Sequence, residues 1–130
     1  MTMRISTLPT AMRVISAILL LVTGLIHLFL VFDGVGGLLG VLFVLNAVAG
    51  VVLAVAMMLL RGRLLAAATV LSLLFLVASL LALLLALTVG LFGITETWTF
   101  TLVPETVIIE AIGVIVLAWA TARAFRRGAL

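Results

Sequence analysis

An all-α membrane protein, four helices crossing a bilayer up-down-up-down, is predicted by three features of this sequence. Of its 130 residues, 68% are hydrophobic and 8% charged. Long runs without a formal charge recur along the chain, at residues 14–32, 34–60 and 64–95. All seven basic residues are arginines that flank such runs. A soluble domain of this length has too small a core to hide so much apolar side chain. One membrane domain spanning residues 1–130, with little mass outside the bilayer, accounts for it.

The elements follow in order. A polar lead carrying Arg4 and Arg13 precedes the first uncharged run, whose 19 residues suffice to cross a hydrocarbon core of about 30 Å. The run is longer than the apolar part of a secretory signal and lacks an Ala-x-Ala site after it, so it is expected to be a transmembrane helix, over 12–32. Asp33 and the glycines after it make a turn, and a second helix is expected over 37–60. The connection Arg61-Gly62-Arg63 is so short that the second and third helices must be antiparallel neighbours. The third run is long enough to outspan the bilayer, so its helix, expected over 64–91, tilts or ends near Gly90 or Gly93.

Residues 92–103 make the longest loop. Within it Thr95, Thr97, Thr99 and Thr101 alternate with Glu96, Trp98, Phe100 and Leu102. This period of two predicts an extended segment along the membrane surface, with Trp98 and Phe100 at headgroup depth. Pro104 suits the first turn of a fourth helix, where its missing N–H costs nothing, and Glu105 sits beside the positive end of the helix dipole. That helix is expected over 104–123, with Trp119 as the interfacial anchor at its far end.

Charge sets the topology. Four crossings put the N-terminus, the Arg61–Arg63 turn and the C-terminus on one side, with Arg4, Arg13, Arg61, Arg63, Arg123, Arg126 and Arg127. The opposite loops hold Asp33, Glu96 and Glu105 and no base. By the positive-inside rule both termini are cytoplasmic in a multi-pass protein of the cell membrane. The arginines are short flanks rather than a folded basic face, so the high isoelectric point does not point to nucleic acid. With no cysteine there is no disulfide, thiol redox chemistry or thiolate metal site, and a single histidine is too few ligands for haem or zinc.

Each predicted helix carries one stripe of small and polar residues. They are Ser16, Thr23 and His27; Asn46 and Gly50; Ser72 and Ser79; and Thr106, Glu110 and Gly113. Four such stripes suit a bundle whose seams meet on its axis. Gly36 and Gly40 add a small-xxx-small pair.

The candidate cluster is His27, Asn46 and Glu110. His27 and Glu110 each lie roughly 9 Å from the same end of the bundle, and Asn46 a turn deeper. One reading is a proton-active or ligand-binding site, since ionisable groups inside a membrane are functional candidates. The other is an internal hydrogen bond pinning the first helix to the fourth, with Asn46 as a clip. The helix count and the polar residues of the same half, His27 in GLIHLFL and Asn46 in VLFVLNAVAG, resemble the DoxX-like group of prokaryotic four-helix membrane proteins.

The expected function is that of an integral membrane protein of accessory or structural role in the lipid bilayer, as a homo-oligomer or a subunit of a larger complex. No enzymatic activity and no cofactor are expected. The alternative is a small proton-coupled transporter using Glu110 and His27.

Overall fold

A computed structural model describes residues 8–126. Four α-helices follow one another: α1 (Thr10–Phe32), α2 (Gly37–Leu59), α3 (Gly62–Thr88) and α4 (Val103–Ala124). Each is long and apolar enough to cross a membrane, and the chain is a multi-pass, up-down-up-down four-helix bundle. At 1.5 Å per residue α3, the longest, measures about 40 Å. It stops at Thr88, two residues before Gly90, which takes a left-handed conformation at φ +91° and turns the chain away. Pro104 stands in the first turn of α4.

Packing is tightest between α1 and α2, and α2 and α3 touch least among the neighbours. The close seam has a specific cause. A Cβ on Gly50 would lie 2.8 Å from the Leu20 carbonyl oxygen and 3.2 Å from the Gly24 Cα. One on Gly24 would lie 3.1 Å from the Ala47 carbonyl oxygen. With no hydrophobic drive between helices in lipid, such backbone approach is what holds them together. By contrast, a Cβ on Gly36 would meet nothing and one on Gly40 would meet only its own turn, at the Val35 carbonyl, so that pair joins no helices.

The half of the bundle nearer the termini is densely filled. Leu20, Met57, Leu76 and Leu117 are fully buried there, among Ala17, Ala54, Leu65, Ala66, Ala68 and Ala120. Arg13 closes this end. Its guanidinium donates from Nε to the Met57 carbonyl at 2.8 Å and from Nη2 to those of Met58 and Leu60 at 3.0 and 2.7 Å. The last carbonyls of a helix have no partner within it, and a cation at that end also meets the negative pole of the dipole. Arg4 and Arg127 lie outside the described residues.

The loop between α3 and α4 corrects one expectation. Residues 98–102 are not extended: they make turns, with the Phe100 amide donating to the Thr97 carbonyl at 3.1 Å and the Val103 amide to that of Phe100 at 3.2 Å. Among the described residues the threonines and aromatics have no neighbouring strand to pair with, so the backbone satisfies itself locally. The loop is tied to α3 by the Glu96 amide, which donates to the Ala86 carbonyl at 2.9 Å. Trp98 is 53% and Trp119 63% exposed at the bundle surface.

Candidate functional site

The half of the bundle nearer the long loop is not filled. A cavity of about 400 Å³ opens there between α2 and α3. This is within the usual range for small-molecule sites, about 300–1,000 Å³. Its physical origin is on α3, where Ala78, Ala82 and Ala86 recur every fourth residue and present a low ridge in a leucine-rich helix. On α2 the facing residues, Leu39, Leu42, Phe43 and Leu45, are bulky and hold the two helices apart. The loop forms a roof with Leu91, Ile94, Glu96, Phe100 and Thr101. Polar groups are few among these walls: His27, Asn46, Ser79, Glu96, Thr101 and Thr106.

The polar groups are held by their own helices or by one neighbour. His27 donates from Nδ1 to the Thr23 carbonyl one turn back, at 2.7 Å. That bond lays the ring along α1, where it meets Phe43 of α2 edge to face at 4.7 Å. The Asn46 side-chain amide donates to the Ser79 hydroxyl at 2.9 Å, a bridge across the mid-membrane end of the cavity. Thr106 donates to the Leu102 carbonyl and closes the first turn of α4. At the other end of the cavity, burial pushes the Glu96 carboxyl above its ordinary value.

Glu110 is placed differently from the expected cluster. It is fully buried, its two carboxyl oxygens have no hydrogen-bond partner among the described residues, and it lies outside the cavity walls. Two contacts fix its depth. Asn46 bonds Ser79, which levels α2 with α3, and a Cβ on Gly113 would lie 2.6 Å from Leu76 Cδ1, which levels α3 with α4. Three residues on along antiparallel helices, Ser79 and Glu110 share a level, so Asn46 is level with Glu110 rather than a turn deeper. The pairing of His27 with Glu110 does not form. The histidine is held on the side of α1 that faces α2, and Glu110 shares the buried face of α4 with Thr106, Gly113 and Leu117. Asn46 is a clip, but to Ser79.

Three elements of the site were not in the expected cluster: Ser79, Glu96 and the alanine ridge. The ridge carried a legible signal, alanine at every fourth position among leucines. Glu96 carried none, because its place depends on how the loop folds back over α3.

Four helices of spanning length around a lateral cavity define a small multi-pass membrane protein. Compared with family models, with curated proteins and with solved structures, the chain matches none.

Proposed function

We propose that this is a small integral membrane protein of accessory role that holds a long apolar molecule of the surrounding leaflet in the cavity between α2 and α3. The observation that carries the proposal is the cavity itself, apolar over most of its wall and lined on α2 and α3 by the lipid-facing Leu42, Leu45 and Ala78. In lipid, small residues normally draw helices together. A ridge of alanines left uncovered by α2 suits a chain lying along it. Proton-coupled transport by Glu110 and His27 has less support, since Glu110 neither lines this space nor bonds the histidine.

The arginine asymmetry supports an orientation with both termini in the cytoplasm of the cell and the cavity in the outer leaflet. Native mass spectrometry of protein released from mild detergent tests the binding role. The wild type is expected to retain a lipid-sized adduct, and Ala82→Trp, which fills the middle of the ridge, to lose it. Equal adducts on both, or none on either, would contradict the proposal.

A further inference from the structure

The walls of the cavity carry a charge pattern that narrows what it takes. Among its lining residues there is one carboxylate, Glu96, and neither arginine nor lysine. The remaining acids in this half of the bundle are Asp33 and Glu105 at its end and Glu110, buried on α4 outside the cavity walls, and no arginine or lysine stands with them. The second titratable group on the walls is His27, whose Nδ1 is occupied by the Thr23 carbonyl. Glu96 does not drift: its amide is bonded to the Ala86 carbonyl, so the carboxyl stands at the loop-side end of the alanine ridge. From Ala86 to Phe75, the residues of α3 that bound the cavity, the ridge runs about 16 Å at 1.5 Å per residue. That is comparable with an extended dodecyl chain.

We infer, on the basis of the apolar-chain reading above, that the cavity selects single-chain amphiphiles with an ammonium head, which Glu96 receives at the mouth while the tail lies along Ala86, Ala82 and Ala78. An ammonium head gives the half-buried carboxylate the opposite charge that the lining residues leave out, a Coulombic contact that needs no N–H donor. A phosphate or carboxylate head would meet only like charge at this end of the molecule. The raised proton affinity of Glu96 has burial as its cause, with no basic partner opposing it. Ammonium selectivity should therefore be absent at acidic pH, where the carboxyl is neutral, and grow as pH rises through its titration.

Three dodecyl chains carrying a photoreactive diazirine at the tail end, with trimethylammonium, hydroxyl or carboxylate heads, provide the test. Each is crosslinked to the full chain in lipid nanodiscs, and the labelled residues are mapped by mass spectrometry. The trimethylammonium chain is expected to label residues near Phe75 and Asn46 about tenfold more than the carboxylate chain, the equivalent of one decade in Kd. Glu96→Gln should abolish that preference without weakening the hydroxyl chain, and Glu105→Gln, outside the walls, should leave it intact. Equal labelling by all three heads, or a preference that survives Glu96→Gln, overturns the charge selection while the apolar-chain site stands. Absence of cavity labelling by every probe, or labelling unchanged in Ala82→Trp, overturns both.

Discussion

Arg13 and Glu110 show how differently a lone charged side chain can sit in a bundle of this kind. Arg13 is one of seven arginines that sequence reading assigns to sidedness alone. Its three bonds to the end of α2 make it a structural clasp as well. Hydrogen bonds to a charged group are worth about 1.5–3 kcal/mol each when lost. Arg13→Ala is expected to lower stability by at least about 2 kcal/mol in detergent unfolding, and Arg13→Lys, which keeps the charge but not the fork, to recover only part of it. Full recovery by lysine would reduce Arg13 to its charge. Glu110 has the opposite character, because neither of its oxygens has a partner among the described residues. Replacing an unpartnered buried polar group with an apolar one of similar size is neutral or stabilising. Glu110→Leu should thus leave unfolding unchanged or raise its midpoint. His27→Leu combined with Glu110→Leu should be additive within about 0.5 kcal/mol, as for independent sites. A coupling larger than that would restore the direct pair.

At the scale of elements, hydrophobic length made all four helices legible in the sequence, since helices of 22 to 27 residues that are this apolar and carry so few charges have one common use. Which faces meet was legible only in part. The stripe on α2 contained Gly50, and the structure makes that glycine the closest point of the α1–α2 crossing. Gly36 and Gly40 fit the same small-residue pattern yet join nothing, because a motif says that backbones can approach and not that they do. Gly50→Ala is expected to cost about 1–3 kcal/mol, because its new methyl meets backbone that has no rotamer to yield. Gly36→Ala, with open space around it, should cost little, and a comparison of the two unfolding midpoints checks this. Counting residues along the helices placed His27 and Glu110 in the loop-side half but set Asn46 a turn too deep, so depth was legible only coarsely. Facing does not follow from depth. A local bond from His27 to its own helix decided that, and such bonds leave no mark in spacing. The loop failed for a similar reason: alternation implies a strand only where a second strand exists to pair with it.

For the whole molecule, the two halves of the bundle differ in kind. The half with Leu20, Met57, Leu76 and Leu117 is filled at its core and carries a shallow apolar groove on the outside of α1 and α2, whereas the half beneath the long loop is open between α2 and α3 over about 400 Å³. Composition could announce a membrane protein but not this asymmetry, which depends on leucines of α2 standing opposite alanines of α3. Orientation is open to a simple check. Cysteine at Thr97 is expected to react with a membrane-impermeant thiol reagent on intact cells, and cysteine at Thr10, exposed at the other end of the bundle, only after lysis. The reverse pattern would invert the assignment.

The half-filled bundle itself is tested most directly by thermal unfolding of two alanine-to-leucine variants of the same helix. Ala66, 2% exposed, stands in the packed half, and Ala82 lines the cavity. Ala66→Leu is expected to destabilise by about 1–3 kcal/mol through overpacking, and Ala82→Leu to leave the unfolding midpoint unchanged or raise it. Equal losses at both positions would mean that α2 and α3 are closed over the alanine ridge, and that the cavity does not exist.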